Sequence, residues 1–331
     1  MRKSLIIIAL LAVCLAAYFL IYKNATQHSL VAEKLTVATV DSPSFALMYI
    51  AEKEGYFKDE GVDVTYRKFP KGLDALTDAL SGNSDIGLSF ETPAVRKIYE
   101  GNALRIIGTM HTSTKDTAIV ARKDKGIFVA SDLKGKKIGI TKTSSYEFFL
   151  YSYLLSQGIK LSDVTFVDDN FKNMIKLLTQ GKVDAVAIGN PYLYDIRKSF
   201  LGSSLSVFQS EVYTESSIIA GKEDILKAKK EPVERFLRAL ARAEKFYNAN
   251  NQAALNDVVA ELPDFSEKNI RDTWSSYVAT ITLNNVLLTL LEREGQWFKD
   301  NGVYKTDLPD FRAAIVTEYL KSVDQDAVTL Y

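Results

Sequence analysis

Four short stretches carry the residues of this sequence best suited to holding a small polar molecule. Ser42-Pro43, Thr92-Pro93 and Asn190-Pro191 each set a hydroxyl or amide residue directly before a proline, and "TKTSSYE" brings Thr143, Ser144 and Ser145 up to Glu147. Each pattern starts a helix. The first residue is a good N-cap, and proline suits the first helical position because its missing N–H would have had no partner there. Ser144 and Glu147 have the S-x-x-E spacing of a capping box, in which the serine accepts an orphan N–H and the glutamate reaches back. A helix start carries unpaired N–H groups and partial positive charge, so it can cradle an anion or a polar oxygen. Taken singly, each junction is accounted for by an ordinary helix start; taken together they point to one cleft.

The ligand-binding set this predicts is Ser42, Ser44, Phe45, Phe90, Glu91, Thr92, Lys142, Thr143, Ser144, Ser145, Tyr146, Asn190 and Tyr192. Ser144 is expected to be occupied by its own cap, which leaves Thr143 and Ser145 for direct contact. One or two of the aromatics, Tyr194 included, are expected to wall the cleft, where a ring shields a ligand and a phenol can still donate. Asp41 and Glu91 stand near the first two junctions and Lys142 near the fourth. If they point inward, the site is polarised, one end suited to an anion and the other to a cation or N–H donor. A single residue's shift along a strand reverses the face and would put them on the rim.

The elements that position these junctions alternate between strand and helix. "KLTVATV", "VDVTYRKF" and "SDIGLSF" read as strands separated by helices from Pro43 to about Glu54 and over "GLDALTDALSG". This order implies a parallel sheet covered by helices. It recurs as "KKIGI", "SDVTFV" and "VDAVAIGN", with Asp63-Val64-Thr65-Tyr66 matched by Asp163-Val164-Thr165-Phe166. Self-similarity on this scale predicts two similar lobes. The remaining third, from "PVERFLRALARAEKFYNAN" through "FSEKNIRDTWSSYVATI", "NVLLTLLEREGQWFKDNG" and "DFRAAIVTEYLKSV", reads as helical and has no repeat of its own.

Composition narrows the function classes. The chain has 331 residues, 47% apolar and 25% charged, enough for two cores. Lysine plus arginine balances aspartate plus glutamate at 41 each, so the basic field used in nucleic-acid binding is missing. Cys14 is the only cysteine and His28 and His111 the only histidines. That excludes an internal disulfide and a thiolate metal centre, and it speaks against a histidine-rich one. G-x-S-x-G, G-x-x-x-x-G-K-[ST] and H-E-x-x-H are absent, so neither catalysis nor a cofactor is expected. At the N-terminus Arg2 and Lys3 precede an uncharged apolar run over residues 4–22, long enough to span a bilayer. An uncleaved signal anchor over 1–24 is expected first. Lipidation at Cys14 is the alternative, against which Val13 stands where a small residue would be needed; ordinary cleavage is the other. In each case the rest of the chain lies outside the cytoplasm.

"PSFALMYIAEKEGYFKDEGVDV", "ALTDALSGNSDIGLSFETPAV", "SDLKGKKIGI" and "LLTQGKVDAVAIGNPYLY" together resemble the solute-binding proteins of nitrate/sulfonate/taurine-type ABC importers. That family also includes binders of thiamine-precursor pyrimidines. The resemblance covers most of residues 35–250. It implies an α/β chain of the type II periplasmic-binding-protein fold, with lobe 1 over 34–121 and 217–331 and lobe 2 inserted over 122–216. The crossovers would lie near "ARKDKG" and "VYTESS". It further implies capture of a small polar or anionic molecule, a sulfonate, taurine or nitrate among them, for delivery to ABC importer permease subunits. The alternatives are a pyrimidine or other aromatic heterocycle as ligand, a membrane-anchored sensing or partner-presenting module, and an enzyme on the same fold. The relatives that are pyrimidine synthases need a cysteine-rich motif, which this chain lacks.

The tether makes the first testable expectation. The full chain should fractionate with membranes, and deletion of residues 1–24 should release a folded soluble protein. Cys14→Ser should leave membrane attachment intact if the segment is a signal anchor and should abolish lipid labelling if it is a lipoprotein signal, as read by fractionation and mass spectrometry.

Overall fold

The computed structural model describes residues 32–190, 192–200, 204–209 and 213–330. The expectations for the N-terminal segment, Cys14 and Pro191 lie outside the described residues. Among the described residues no helix is long and apolar enough to cross a membrane.

Strands β1 (Glu33–Thr39), β2 (Val62–Lys68) and β3 (Ile86–Phe90) are joined by helices α1 (Ala46–Lys53) and α2 (Gly72–Leu80). β1 pairs in parallel with both β2 and β3. Ile86 to Ser89 of β3 are all buried, as expected of a strand covered by helices on both faces. Helix α3 (Glu91–Tyr99) and β4 (Leu104–Ser113) complete this half. The next half opens with β5 (Thr117–Arg122) and repeats the scheme through β6 (Lys137–Ile140), α4 (Ser145–Ser156), β7 (Thr165–Asp168), α5 (Phe171–Thr179) and β8 (Ala185–Gly189). β6 pairs in parallel with β7 and β8. Helix α6 (Tyr192–Ser199) and β9 (Leu205–Phe208) follow, and the chain then returns through β10 (Glu215–Lys222). The last third holds α7 (Lys230–Ala249), α8 (Glu267–Thr273), β11 (Val278–Asn284), α9 (Asn285–Asp300) and the short β12 (Val328–Thr329).

The described strands form two sheets, in the orders β12-β11-β4-β10-β3-β1-β2 and β7-β6-β8-β5-β9. Each contains three parallel strands with the first in the middle, then one antiparallel strand: β10 beside β3 and β5 beside β8. The internal repeat thus extends to the crossing strands, and the sheets are mixed where sequence alternation implied parallel ones. It also moves a boundary. Thr117–Arg122 was expected in the first lobe, but its backbone pairs with β8 and β9 of the second sheet. The first crossover therefore spans 114–116 and not the vicinity of Arg122; the second leads into β10 at Glu215. A further correction concerns "SYVATI", read above as helical. Its β-branched run forms β11, which adds to β4 of the first sheet. The main core lies in this larger half. There α7 buries Val233, Phe236, Leu237 and Leu240 along one stripe, and Phe236 stacks on Phe57 at 5.0 Å.

Buried carboxyls concentrate at the crossovers. Glu91, at the start of α3, accepts hydrogen bonds from the Tyr213 hydroxyl and, at 2.9 Å, from the Ser216 N–H, and so grips the second crossover. Asp116 ends the first crossover, Glu215 ends the second, and Glu294 projects from α9. All four are almost wholly buried. Burial raises the pKa of Glu91, and raises those of Glu215 and Glu294 well above the usual range. It pushes Asp116 up to about 7, against the Asn190 amide, which favours the charged form. Glu215, Tyr146 and Tyr277 lie near Asp116, and nearby His111 is held neutral by burial, its pKa down at about 3.

A carboxyl whose pKa is higher in the fold than in the unfolded chain binds its proton more tightly when folded. The stability Asp116 contributes is complete below its ordinary value of 3.8 and is lost as pH rises through about 7. Urea midpoints should therefore fall as pH rises from about 4 to about 7 and level off above that. Asp116→Asn should flatten that profile; an unchanged slope in the variant would assign the titration to its neighbours.

Candidate functional site

The carboxyl ends of the parallel strands in both sheets converge on one cleft, where open α/β sheets place their ligands. The cleft holds a cavity of about 410 Å³, the size of a small-molecule site. Residues after β1, β2 and β3 supply one wall, among them Ser42, Phe69, Lys71 and Phe90. Residues after β6, β7 and β8 supply the other, among them Thr143, Tyr146, Phe171 and Tyr192. Glu215 lines the cavity from the second crossover, and Asp264 and Phe265 line it from the segment preceding α8.

The structure separates the expected site residues into two groups. Ser42, Phe90, Thr143, Ser144, Ser145, Tyr146, Asn190 and Tyr192 line the cavity. Ser44, Phe45, Glu91 and Thr92 do not; they are buried behind its wall. The Ser44 N–H donates to Ser42 Oγ at 3.2 Å, and Phe45 supports Phe90 from the core with ring centroids 5.4 Å apart. The Glu91 carboxylate, expected at the cationic end of a ligand, is taken up by Tyr213, Thr92 and Ser216. Lys142, expected at the anionic end, is exposed and outside the lining; its N–H donates to Asp168 Oδ1 at 3.0 Å. Tyr194 also lies outside the lining, donating from its hydroxyl to Asp272 on α8.

The capping box at Ser144 is also different from its expectation. The Ser144 hydroxyl donates to the Thr141 carbonyl at 2.6 Å and accepts no helical N–H. Glu147 reaches past Ser144 to accept the Thr143 N–H at 2.8 Å and the Arg96 guanidinium at 2.6 Å. Arg96 belongs to α3, so Glu147 joins the two lobes beside the cavity. It also fixes Thr143, whose φ of 63° is left-handed, a conformation that strains a β-branched residue. The start of α4 thus keeps its N–H groups clear of a serine cap.

Sequence reasoning missed more than half of the lining. Asn170 caps α5, accepting the Asn173 N–H at 3.0 Å, and is a strand-to-helix junction without a proline, like that at Ser144. It brings Phe171 against Tyr146 at 5.3 Å and against Tyr192 at 6.1 Å; Phe265 of the other lobe meets Tyr192 at 5.6 Å. The Tyr146 ring has room because residue 189 is glycine: a Cβ there would lie 2.5 Å from its hydroxyl. Glu215 carried no local signal. Its Oε1 is buried on the cavity wall without a hydrogen-bond partner. The charges at the rim are mostly paired, Asp41 with Lys68 at 2.9 Å and Asp264 with Lys172 at 3.3 Å. Among the described residues no three metal-ligating side chains come together.

This geometry can enclose a flat molecule among rings, offer it a protonated carboxyl from Glu215, and present hydroxyl, amide and free helix N–H groups from both lobes. Relatives with the same architecture are numerous. The candidate binding protein YtlA of Bacillus subtilis is 24% identical over 305 residues, 86% of this chain and 90% of its own. A candidate thiamine biosynthesis protein of Haemophilus influenzae is 24% identical over 229 residues, 67% of this chain and 71% of its own. The alkanesulfonate-binding protein SsuA of Xanthomonas axonopodis, solved bound to MOPS, superposes with a TM-score of 0.74 at 16% identity, covering 86% of this chain and 98% of its own. The desulfurization enzyme DSZB superposes at 0.68 and 16% identity, covering 89% and 99%. These two likenesses establish the periplasmic-binding-protein fold, which carries both binding proteins and an enzyme. The match to the NMT1/THI5-like family runs over residues 42–254, more than half of the sequence, and the chain belongs to that family.

Proposed function

We propose that the protein is an extracytoplasmic solute-binding protein that captures a flat, nitrogen-bearing ring between its lobes and delivers it to an ABC importer. The observation that carries this reading is Glu215. Its carboxyl is buried on an aromatic wall with Oε1 unpartnered, and burial favours the protonated form. A protonated carboxyl offers one O–H donor and one carbonyl acceptor side by side. An amino group next to a ring nitrogen, as in an aminopyrimidine, presents the complementary pair. Leaving such an acceptor unsatisfied costs about 1–3 kcal/mol, so a ligand that meets it gains both affinity and selectivity. Phe171, Tyr192 and Phe265 then supply stacking surface. The relationship to a thiamine biosynthesis protein supports the same class.

A second reading, a small sulfonate, is favoured by a different observation. The start of α4 at Thr143 and Ser145 is free of a side-chain cap, which suits an anionic oxygen. Two relatives are named as candidate aliphatic sulfonate-binding proteins. A short alkyl sulfonate or nitrate would leave Glu215 and most of the rings unused, so it ranks second. Capture without turnover is part of the proposal, as is presentation outside the membrane on the N-terminal segment.

Thermal unfolding with aminopyrimidines, aryl amines, alkyl sulfonates and nitrate tests the reading, because a ligand bound to the folded state alone raises the midpoint. 4-Aminopyrimidine should stabilise the protein and be recovered unchanged. Glu215→Leu should weaken it by about 1.5–3 kcal/mol, the scale of a strong hydrogen-bonded pair. Glu215→Gln keeps a donor and an acceptor and should retain most of the affinity. Stabilisation by alkyl sulfonates alone would select the second reading, and chemical conversion of a ligand would revive an enzyme.

A further inference from the structure

The charges on the cavity wall can be paired off, and one cation is left over. Asp41 meets Lys68 at 2.9 Å, and Asp264 meets Lys172 at 3.3 Å. Glu215 is the remaining acid of the lining. The remaining cation is Lys71, half-buried at the turn between β2 and α2, between Phe69–Pro70 and Gly72 of the same wall. Among the described residues its ammonium group has no ion pair or hydrogen bond. An ammonium can make three hydrogen bonds, and this one stands on a wall shared with Ser42, Phe69 and Phe90. Its position is separate from that of Glu215: Lys71 follows a strand of the first lobe, whereas Glu215 rises from the crossover.

We infer that the ligand is dipolar, a nitrogen-bearing ring that also carries an anionic group, and that Lys71 is the residue selecting for that group. This rests on the reading of Glu215 given above and extends it from a ring to a ring acid. The anion can be a carboxylate, sulfonate or phosphate ester, since each offers an ammonium several acceptor oxygens. Lys71 thereby takes the role that sequence reasoning gave to Lys142.

Three probes that share the edge complementary to Glu215 separate the two claims: 4-aminopyrimidine, its 5-carboxamide and its 5-carboxylate. The last two have nearly the same shape and differ in charge. Calorimetric titration of the wild-type protein should show the carboxylate binding about tenfold or more tightly than the carboxamide, the range for a hydrogen bond to a charged group. Lys71→Met should erase that preference and leave the carboxamide within about twofold, while Lys71→Arg should retain it. Unchanged thermal midpoints of the unliganded variants confirm folding, since the side chain makes no internal contact that the fold needs. Binding of 4-aminopyrimidine and the carboxamide with no advantage for the carboxylate, or an advantage that survives Lys71→Met, overturns the role of Lys71 and leaves the reading of Glu215 standing. Failure of all three probes to bind overturns both.

Discussion

The relation between the two lobes depends on the buried carboxylate of Glu91. It stands at the first turn of a helix in one lobe and accepts the Tyr213 hydroxyl and the Ser216 N–H of the segment returning from the other. Tyr213 in turn packs on Phe148 and Phe149 of the second lobe at 5.8 and 5.7 Å. One side chain therefore ties a helix start, a crossover and the core of the opposite lobe. Removing it would leave a buried hydroxyl and a buried N–H without acceptors, each costing about 1–3 kcal/mol. β10 takes its direction from antiparallel pairing with β3 and β4, and this anchor holds its first residues, Ser216 and with it Glu215 one residue before, against α3.

Burial of so many acids near one hinge has a physical consequence. Arg96 is the one cation that acts on them, through Glu294, and they cannot all ionise, because each charge would be both desolvated and repelled by the next. The protein keeps protons there instead. Arg96 pairs with Glu147 and lies 4.7 Å above the Phe298 ring; Lys68 and Lys172 neutralise the acids of the rim. On the cavity wall, burial holds Glu215 toward its neutral form, while Asp41 and Asp264 are paired and Lys71 is not.

Much of this was legible in the sequence. The alternation of strand and helix in each repeat is written in local periodicity and cap residues, and the doubled plan in matched motifs, but β4 between the repeats was not read. The membership of Thr117–Arg122 was not, because a crossing strand belongs to whichever sheet its backbone pairs with, and that is a long-range fact. β11 was hidden by helical neighbours on both sides of a short β-branched run. At the site, junctions after β1, β6 and β8 were found because a capping residue marks where a strand's carboxyl end meets a helix. Whether a residue at such a junction faces the cavity depends on its place in the first turn. Glu91 is the first residue of α3 and turns under it, whereas Phe90, one position earlier, faces out. Glu215 and Phe265 come from segments distant in sequence, and nothing in their own neighbourhoods distinguishes them.

The contacts across the mouth of the cleft show how binding and closure are joined. Lys172 and Asp264 form an ion pair whose partners are both exposed, a class worth about 0–1 kcal/mol. Tyr192 against Phe265 adds an aromatic contact of about 0.5–1.5 kcal/mol. The Tyr194–Asp272 hydrogen bond, near solvent, and the Asn269–Asp195 hydrogen bond, with Asn269 buried, link α8 to α6. Against the few kcal/mol these can supply stands the freedom that two lobes on short crossovers give up when they meet. The same rings that touch across the mouth also line the cavity, so a ligand stacked among Phe171, Tyr192 and Phe265 adds contact area to both lobes only when they are together. Its binding free energy is then also closure free energy, which is what differential affinity for one of two states requires. A molecule that engaged a single wall could bind without drawing the lobes together; one that reaches Lys71 from a ring held by the opposite lobe could not.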